Sequence, residues 1–519
     1  MNSIASLGDD QNLYDVAIIG LGPTGAIAAG LLGRKGIRTF VCDSSHDVYD
    51  KPRAISLDHE IFRVFQQMGL SEKIKPFVEP FTDSVYYGVE GQVIKRMSTV
   101  AAPYPLSHTP SFVFSQPPVE KILREYAYSH ASVVVQLGLT LTHLTQEEDF
   151  ATLTLKHEDG QTSSVKAKYV IGCDGASSSV RAFAEIQLED LGFDEPWLVV
   201  DVMVNARGLA KLPKTSVQYC NPERPSTYVI GPGHHRRWEI SINPGEDSKR
   251  MATPEGAWKM LVPWLTEEDG TLWRQASYRF HALVANQWRK GRVFVAGDSA
   301  HQQPPFLGQG MCQGVRDAVN LCWRLEAVLQ GSAAPFLLDS YGTERKAHVT
   351  ELTTRIKGIG KIITERNADK ARERDAKLLA DCEGVVMPMP RQDVQPALSV
   401  GLLGSIAHPA RGTIFPQPLL QDASGALVRM DDIYPAGWKI VFNANASDDL
   451  VDAAKNHHLP SLLSLKLGST ELTEAEGVLA KWFDRYEVQA AIVRPDHYIY
   501  AVCKTTHDLA VQLGGLNLI

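Results

Sequence analysis

The chain has 519 residues, of which 44% are hydrophobic and 22% are charged, enough for two or three domains with cores of their own. Its net charge of -8 argues against a nucleic-acid partner. The seven cysteines are scattered and none forms a CxxC pair, so we expect reduced thiols, no disulfide framework and no metal site.

The first glycine-rich segment lies between a predicted strand at 14–19 (YDVAII) and a predicted helix at 26–32 (AIAAGLL). Its letters, GLGPTG, match the G-x-G-x-x-G dinucleotide pattern, which is informative only in such a context. The first glycine allows a tight turn, the second lets the backbone approach a pyrophosphate, and the third lets helix and strand touch. The helix N-terminus suits the same anion. The residues predicted to bind the ligand are Gly20, Gly22, Pro23, Thr24 and Gly25.

A second predicted strand, 39–42, ends at Asp43, where a carboxylate can accept hydrogen bonds from a ribose. The uncharged run 16–33 has the length of a membrane span. However, glycines and Pro23 interrupt it, and acidic residues precede it. We therefore expect neither a signal peptide nor a membrane span, and a soluble, cytoplasmic protein.

The following region alternates helical and extended patterns. Predicted helices cover 56–70 and 117–127, and predicted strands cover 112–114, 132–141 and 151–157. Residues 169–181 (YVIGCDGASSSVR) then predict a buried strand that runs into a turn at Asp174 and Gly175. By itself this segment is equally typical of a plain strand end followed by a serine-rich loop.

Between 194 and 280 the pattern changes to short extended segments separated by prolines. Predicted strands at 197–204, 226–230 and 236–242 indicate a mostly antiparallel sheet. A sheet inserted between nucleotide-binding segments would place a substrate pocket at a domain junction, where ligand sites are common.

The second glycine-rich segment, GDSAHQQPPFLGQGM, covers 297–311. It follows a predicted strand at 292–296, which rejoins the first domain, and a helix is predicted after it at 313–329. If both glycine-rich segments contact one ligand, that ligand is long, which favours FAD over NAD.

The last part of the chain begins with a charged helical pattern at 356–382, and prolines then indicate a boundary near 395. Beyond it, a small α/β layer fold is indicated. Its predicted strands are 438–443, 490–493 and 497–503, and its predicted helix is 446–456.

In this order and spacing, GLGPTG, GCDGASSSVR and GDSAHQQPPFLGQGM resemble the three fingerprints of class A FAD-dependent aromatic hydroxylases, a phenol hydroxylase-like group. The resemblance spans the whole chain. Segments 52–60 and 218–239 are closest to 3-(3-hydroxyphenyl)propionate hydroxylases.

The resemblance implies an α/β fold, with an FAD/NAD(P)-binding Rossmann-like domain, an inserted antiparallel-sheet substrate domain and a C-terminal thioredoxin-like domain. The implied boundaries are 1–80, 106–185 and 282–394 for the discontinuous FAD-binding domain, 81–105 and 186–281 for the substrate-binding domain, and 395–519 for the thioredoxin-like domain. Because the last domain lacks CxxC, we expect it to be structural or to form a dimer.

The resemblance also implies cofactor contacts. Asp174 and Gly175 would lie by the pyrophosphate and the nicotinamide donor, and Asp43 would bind the adenosine ribose. Arg53 and Gln116 match cofactor-contacting positions, although a surface arginine is the alternative for Arg53.

In the second segment, Asp298 is implied to bind the ribityl chain. Residues 308–311 would present backbone N–H groups to the flavin N1 and O2 edge, where negative charge develops on reduction. The implied contacts here are Gly297, Asp298, Gly308, Gln309, Gly310 and Met311.

The implied reaction begins when NAD(P)H reduces FAD, and O2 then forms a flavin C4a-hydroperoxide that transfers OH to a phenolic ring, ortho to an existing hydroxyl. A general base near the phenol, whose pKa is near 10, would speed this transfer. Phenol hydroxylases carry Asp directly after the alanine that matches Ala54. This chain has Ile55 instead, so that base cannot be carried over.

The candidate catalytic residues are His281, Asp58 and Pro305. His281 could reach the pocket, but a structural histidine is an equal alternative. Asp58 fits a helix N-cap better than a base. Pro305 would lie beside the flavin, where Leu307 replaces a smaller residue and narrows the space. His301 is expected to be architectural.

The expected partners are a small phenolic substrate, O2 and NADH or NADPH, and a homodimer is compatible with the resemblance. NAD(P)H must dock on the FAD domain, because the chain has no second G-x-G-x-x-G fold. A substrate carboxylate could pair with a basic segment, although a solvated loop is the simpler interpretation. The basic residues of that segment are His234, His235, Arg236 and Arg237.

Other reactions on the same fold remain open. They are epoxidation, Baeyer–Villiger oxidation and hydroxylation of bicyclic or polyketide-like phenols. A non-catalytic flavin-binding redox sensor is the alternative from another class.

Overall fold

The computed structural model describes residues 13–422, 424–455, 462–466, 468, 473–516 and 518. Asn456, the last residue of the predicted helix 446–456, lies outside this set. None of the helices formed by the described residues is long and apolar enough to cross a membrane.

Strands dominate the middle of the chain, and long helices follow it. The strands are β1 (Leu13–Ile19), β2 (Thr39–Asp43), β3 (Ser56–Asp58), β4 (Val78–Pro80), β5 (Ser84–Tyr87), β6 (Val93–Ser98), β7 (Ser111–Phe114), β8 (Val133–Leu137), β9 (Thr140–Gln146), β10 (Ala151–Lys156), β11 (Thr162–Gly172), β12 (Leu188–Val204), β13 (Ser216–Tyr219), β14 (Ser226–Ile230), β15 (His235–Ser241), β16 (Gly270–Ala285), β17 (Arg289–Lys290), β18 (Val293–Val295), β19 (His301–Gln302), β20 (Pro388–Pro390), β21 (Leu419–Gln421), β22 (Leu427–Arg429), β23 (Lys439–Phe442), β24 (Leu463–Lys466), β25 (Thr473–Glu474), β26 (Ala490–Val493) and β27 (Ile499–Cys503). The helices are α1 (Pro23–Gly33), α2 (His59–Gln67), α3 (Ser71–Ile74), α4 (Gln116–Tyr128), α5 (Ser179–Phe183), α6 (Ala206–Leu209), α7 (Ser248–Met251), α8 (Pro254–Leu261), α9 (Gly310–Leu329), α10 (Asp339–Thr364), α11 (Ala368–Asp381), α12 (Met430–Ile433), α13 (Asp448–Lys455), α14 (Val478–Tyr486) and α15 (Thr506–Gly514).

An eight-stranded sheet forms the nucleotide-binding part, with the strand order β17-β18-β11-β1-β2-β8 and with β10 and β9 attached through β11. Its centre is parallel: β1 pairs with β2 and β11, β2 with β8, and β11 with β18. The middle of β1 is fully buried, since residues 16–18 have no exposed surface. This arrangement is typical of α/β sheets with helices on both faces, and it confirms the predicted Rossmann-like fold.

The helix predicted over 56–70 is wrong at its start, because Ser56–Asp58 forms strand β3, which pairs with β7. The helix begins only at His59. There the Asp58 carboxylate accepts the N–H groups of Glu60 (3.1 Å) and Ile61 (3.2 Å) and acts as the N-cap. Hydrophobic periodicity continues across this junction, so periodicity alone could not locate it.

A nine-stranded, mostly antiparallel sheet confirms the predicted inserted sheet, in the order β19-β16-β12-β15-β14-β13-β5-β6-β20. Its two faces have different neighbours. Leu198, Val200 and Trp238 belong to an apolar cluster that includes residues of α8. The opposite face, here called the inner face, carries Trp197, which packs with Phe306 and with residues of α10.

The C-terminal part is built on a four-stranded sheet in the order β24-β23-β26-β27, with β24 parallel to β23 and the other pairs antiparallel. Helix α13 connects β23 to β24, and α15 follows β27, which is the arrangement of a thioredoxin-like fold. All seven cysteines are free thiols, and Cys503 in this part is buried.

Candidate active site

The two glycine-rich segments, far apart in sequence, lie against each other in the structure. Gly297 has a left-handed backbone (φ 62°), and a Cβ atom there would lie 2.7 Å from Oγ1 of Thr24. Gly314 in α9 leaves equally little room beside the same hydroxyl. Because these glycines lack side chains, the start of α1 packs directly on the second segment. One ligand can therefore reach both segments.

The turn after β1 has a shape that suits a pyrophosphate. Gly20 has a φ of 98°, and a Cβ atom there would overlap the carbonyl oxygen of Cys173. A Cβ atom at Gly25 would overlap the carbonyl oxygen of Gly20, so turn and helix touch. At Gly22, in contrast, no atom lies within 4 Å of the Cβ position. Helix α1 begins next to this open side, at Pro23, without a side-chain cap, which leaves its first N–H groups for an anion.

A cleft of about 720 Å³ opens at this turn, along the carboxyl ends of β1, β2 and β11. Ligands of parallel α/β sheets bind at this edge. Eight of the predicted cofactor residues line the cleft: Gly20, Gly22, Pro23, Asp43, Arg53, Gln116, Asp174 and Gly175.

Asp43 is held in place at the end of β2 by backbone donors. Its Oδ2 accepts the N–H of Leu21 at 2.6 Å, and its Oδ1 accepts the N–H of Ser45 at 2.8 Å. Leu21 lies inside the glycine-rich turn, so the carboxylate also fixes the turn relative to β2. Each oxygen keeps a lone pair that can accept a ribose hydroxyl.

Gln116 and Arg53 lie at the other wall of the cleft. Gln116 is buried, its Oε1 accepts the N–H of Ala54 at 2.6 Å, and its amide donates to Glu120 at 3.0 Å. Gln116 therefore fixes the backbone that carries Arg53. The Arg53 guanidinium is exposed and stacks over the ring of Tyr49, 4.8 Å from its centroid. It is free to meet an anionic ligand.

Two aspartates have raised pKa values, Asp174 after β11 and Asp298 in the second glycine-rich segment. Burial raises the pKa of Asp174, although hydrogen bonds from the Ser178 hydroxyl and from the Val180 N–H (3.1 Å) oppose the change. Asp298 is exposed to solvent at its surface, yet desolvation by the surrounding protein raises its pKa, while His301 and Arg53 lower it. The Arg53 guanidinium, at the wall of the cleft, is thus one of the charges that act on Asp298.

The second segment ends in a helix start that faces outward. Pro305 is half-buried and begins a short 3-10 helix, and Gly308 follows in the left-handed region (φ 63°). Helix α9 then begins at Gly310. The N–H groups of Gly310 and Met311 have no hydrogen-bond partner among the described residues, as the first turn of a helix dictates. The side-chain oxygen of Gln309 accepts hydrogen bonds from Gln395 at 2.6 Å and from Arg316 of α9 at 3.1 Å.

His301 helps to fix the position of the second glycine-rich segment through Asp317. Its Nε2 lies 2.8 Å from Oδ2 of Asp317, which also accepts the N–H of Gly297 at 2.9 Å. Arg345 holds the other oxygen of Asp317 at 2.8 Å. His301 is therefore architectural.

Asp58 is fully engaged in the structure. Besides capping α2, its Oδ2 accepts a hydrogen bond from Arg316 at 2.6 Å. Burial alone would raise the pKa of Asp58, but Arg316 lowers it below its ordinary value. These contacts favour a structural role.

His281 lies on β16 opposite Asp194 of β12, and its Nδ1 is 3.3 Å from Oδ1 of that residue. Side chains alternate between the faces of a strand. Phe280, one residue earlier, stacks on Trp197 with ring centroids 5.7 Å apart, so His281 points away from the inner face.

The inner face carries a buried ionic cluster that the sequence interpretation missed. Asp201 binds Arg237 (2.7 Å) and His235 (2.7 Å), and Arg274 lies 3.9 Å away. Glu239 belongs to the same face of β15, two residues beyond Arg237. The sequence carried a signal for this cluster, because alternate residues of 235–241 are charged or basic and would share one face of a strand. The run of basic residues at 234–237 favoured a solvated loop instead.

Both arginines of the segment predicted to bind a substrate carboxylate form hydrogen bonds within the protein. Arg237 donates to the carbonyl oxygens of Arg53 (2.8 Å) and Pro52 (3.1 Å). Arg236 donates to the backbone carbonyl oxygens of the turn between β14 and β15, and His234 is exposed. Arg237 thereby joins the inner face to the wall of the cleft.

The comparisons with known proteins agree with this geometry. A family described as "FAD binding domain" matches residues 13–356, and another described as "HcaD C-terminal domain" matches residues 412–513. The chain is 34% identical, over 97% of its length and 94% of the relative's, to "Probable NADH-specific resorcinol 4-hydroxylase" of Rhodococcus jostii (strain RHA1). It is 29% identical, over 95% of its length and 94% of the relative's, to "3-(3-hydroxy-phenyl)propionate/3-hydroxycinnamic acid hydroxylase 2" of Burkholderia vietnamiensis (strain G4 / LMG 22486).

Solved structures share the fold. The flavin-dependent monooxygenase PieE, in complex with FAD and substrate, superposes with a TM-score of 0.80 at 21% identity, covering 96% of this chain and 98% of that chain. Aklavinone-11 hydroxylase, in a ternary complex with FAD and aklavinone, gives 0.77 at 23% identity, covering 96% and 99%. These similarities confirm the predicted fold class.

The chain belongs to the FAD-binding family of class A flavin hydroxylases. The predicted cofactor, FAD, and the predicted enzyme class, an FAD-dependent aromatic-ring hydroxylase, are confirmed.

The residues present fit FAD. Gly22 leaves open space for a pyrophosphate, and α1 and α9 both begin without a side-chain cap. Asp43 and Asp298 supply carboxylates for the ribose and the ribityl chain, and the start of α9 can face the flavin ring. Among the described residues, no group of three or more His, Cys, Asp or Glu side chains could hold a metal ion.

Proposed function

We propose that the protein uses NADH and O2 to hydroxylate a small, uncharged phenol such as resorcinol, ortho to an existing hydroxyl. The observation that carries the proposal is the closure of the inner face of the sheet over Phe306, the neighbour of Pro305. This contact brings an apolar part of the sheet against the segment expected to hold the flavin ring. Apolar packing there would keep water away from the ring, as an oxygen-transfer reaction requires.

The preference for an uncharged phenol has a structural basis. The two arginines predicted to pair with a substrate carboxylate are engaged elsewhere, because Arg236 and Arg237 are bonded to backbone carbonyl oxygens and to Asp201. The relative from Rhodococcus is named for resorcinol, whereas the relative from Burkholderia is named for hydroxyphenylpropionate and hydroxycinnamic acid. The engaged arginines favour the first of these substrate classes.

The cofactor contacts proposed for this chain follow the two glycine-rich segments. Gly20 to Gly25, including Thr24, hold the pyrophosphate with Asp174 and Gly175, and Asp43 binds the adenosine ribose. In the second segment, Gly297 and Asp298 hold the ribityl chain. The contacts to the flavin edge are the backbone N–H groups of Gln309, Gly310 and Met311, with Pro305 beside the ring; the N–H of Gly308, also predicted for this role, donates instead to the carbonyl oxygen of Pro305 at 2.7 Å. FAD, once bound, supplies the redox chemistry, and the protein positions it and excludes water.

NADH is the proposed donor because the Rhodococcus relative is named as NADH-specific. We also propose the predicted three-domain division, a cytoplasmic location and a homodimer. Light scattering of the purified protein tests the assembly, since a single chain has a mass of 57.2 kDa.

The function is tested with purified, FAD-loaded protein in air, with resorcinol and 3-(3-hydroxyphenyl)propionate as separate substrates. We expect resorcinol to stimulate flavin bleaching by NADH, oxygen uptake and formation of a trihydroxybenzene together. Hydroxylation of hydroxyphenylpropionate alone would reject the uncharged-phenol class. Bound FAD without phenol-dependent oxygen uptake would instead indicate the redox sensor, and an epoxide or ester product would indicate the other reactions.

A further inference from the structure

Glu239 lies at the centre of the inner face of the nine-stranded sheet. On β15 it pairs with Val199 of β12 and with Thr227 of β14, and both neighbours are buried. Directly opposed residues of an antiparallel sheet share a face. Glu239 therefore lies on the same face as Trp197 and Arg237.

This face looks towards both segments that would flank the flavin. On one side, Arg237 donates to the carbonyl oxygens of Pro52 and Arg53, at the wall of the cleft. On the other side, the Trp197 ring packs edge-on against Phe306, with centroids 5.7 Å apart. Glu239 lies between these two contacts.

The Glu239 side chain is largely buried, with its residue 6% exposed, and its carboxylate is not engaged by a hydrogen bond from the described residues. The charged groups that face it are Arg237 of its own strand, Asp201 of β12 and Arg274 of β16. Arg237 is neutralised by Asp201, and Arg274 donates to the carbonyl oxygen of Pro52 and to the Tyr278 hydroxyl.

A largely buried carboxylate is costly to ionise, and groups whose pKa values are perturbed in this way are concentrated at functional sites. Burial raises the pKa of Glu239 to about 7, although Arg237 lowers it. A carboxylate with this pKa is ionised for part of the time at neutral pH and is a much stronger base than an ordinary glutamate.

We propose that Glu239 is the general base that removes the phenolic proton of the substrate. The O–H bond breaks, the proton moves to the Glu239 carboxylate, and the electron pair stays on the phenolate oxygen, which activates the ortho carbon. This inference rests on the proposed phenol hydroxylation. Neither sequence candidate competes on this face, since His281 points to the other face and Asp58 is bound to Arg316.

The test compares Glu239→Gln with Glu195→Gln in the FAD-loaded enzyme, with resorcinol as the probe. Glu195 is a matched control, because it lies on the same face of β12, burial also raises its pKa, and it already accepts a hydrogen bond from Trp197 at 3.2 Å. We expect Glu239→Gln to lower kcat ~100-fold or more near neutral pH, within the range of general-base catalysis. Glu195→Gln should stay within a few-fold of wild type.

Two further readouts separate a base from a structural residue. The wild-type kcat should rise with pH through about 7, and Glu239→Gln should lose that step. A fluorinated resorcinol, whose phenol ionises more readily, should recover much of the lost rate in the variant. FAD content should be equal in both proteins.

The outcomes are distinct. A wild-type enzyme without any phenol-dependent turnover overturns both this inference and the proposed function. An active wild type together with a Glu239→Gln variant of similar kcat and pH profile overturns only the inference. If the variant loses FAD, binding of resorcinol to the oxidised wild-type holoenzyme decides the matter by ultraviolet difference spectra: a phenolate signal that appears with a pKa near 7 supports the base, and its absence overturns it.

Discussion

At the scale of single residues, Glu239 shows how burial links stability to pH. The pKa of Glu239 is about 7 in the folded protein, against an ordinary 4.5. The free energy of unfolding of the protein therefore decreases as the pH rises from 4.5 through about 7, because the unfolded chain releases this proton first. We expect Glu239→Gln to raise the free energy of unfolding by about 3 kcal/mol above pH 7. Below pH 4.5 the change should be small. Urea unfolding of the apoprotein at both pH values checks this, and an equal effect at both would contradict it.

The glycines of the first turn give a second test at this scale, because two of them have opposite surroundings. A methyl group at Gly20 would overlap Cys173 and strain a φ of 98°, whereas one at Gly22 would meet no protein atom. We expect Gly20→Ala to lower the thermal stability of the apoprotein. Gly22→Ala should leave the apoprotein unchanged and weaken FAD binding at least tenfold, since its methyl group would occupy the phosphate position.

Thermal unfolding and FAD titration of both variants measure these effects. If Gly22→Ala binds FAD as tightly as wild type, the pyrophosphate does not approach this glycine.

Some of these residue roles could be predicted from sequence, and others could not. The glycine pattern is local, because a turn, a helix start and a close approach are encoded within six residues. The environment of Glu239 is not local. Two of its three charged neighbours, Asp201 and Arg274, come from β12 and β16, and the pattern of a single strand cannot show which partners will lie beside it.

At the scale of elements, the contact between α1 and α9 joins the two glycine-rich segments. A side chain at Gly314 would overlap the Thr24 hydroxyl and approach Cα of Gly297 at 3.3 Å. We expect Gly314→Val to push the helices apart, lower stability by a few kcal/mol and reduce FAD affinity. The control is Gly358→Ala in α10, which is exposed with no atom within 4 Å of its Cβ position.

The control should raise stability by about 0.5 to 1 kcal/mol, as expected for replacing a helical glycine. Thermal unfolding with and without FAD compares the two variants. Gly314→Val with wild-type FAD affinity would contradict the direct role of this helix contact.

Element boundaries depended on partners outside the element. Residues 56–58 continue the helical periodicity, yet they form β3 because β7 offers a pairing edge. The predicted segment 132–141 divides into β8 and β9 at Gly138, which has a left-handed backbone. Strand β8 joins β2 while β9 joins β10, and this choice is set by the sheet.

At the scale of the whole molecule, a buried ion network fastens the C-terminal part to the nucleotide-binding part. Arg494 binds Glu344 of α10 through two hydrogen bonds (2.7 and 2.9 Å) and also holds Asp496. Arg324 of α9 lies 2.8 Å from Glu344. Burial alone would raise the pKa of Glu344, but Arg324 and Arg494 lower it to about 2.

This network predicts an acid limit to stability. Glu344 contributes stability above pH 4.5, and that contribution is lost as the pH falls through about 2. We expect Arg494→Met to lower the free energy of unfolding at neutral pH by ~3–5 kcal/mol, because it leaves buried carboxylates without their partner. In the variant, the free energy of unfolding should also decrease less steeply as the pH falls below 4.5.

Urea unfolding as a function of pH measures both effects. The exposed pair of Lys455 and Asp452 provides the control, and Lys455→Met should change little. A neutral-pH effect of Arg494→Met no larger than that of the control would contradict the fastening role.

The sequence by itself determined the cofactor class and the Rossmann-like core, because glycine turns, buried strands and helix periodicity are encoded in short contiguous stretches. Only the tertiary structure decided that Gly297 lies against Thr24, that Asp58 binds Arg316, and that Glu239 is a largely buried carboxylate on the inner face. The physical reason is that burial and charge at these positions come from residues tens to hundreds of positions away, which are brought together only by sheet pairing and helix packing.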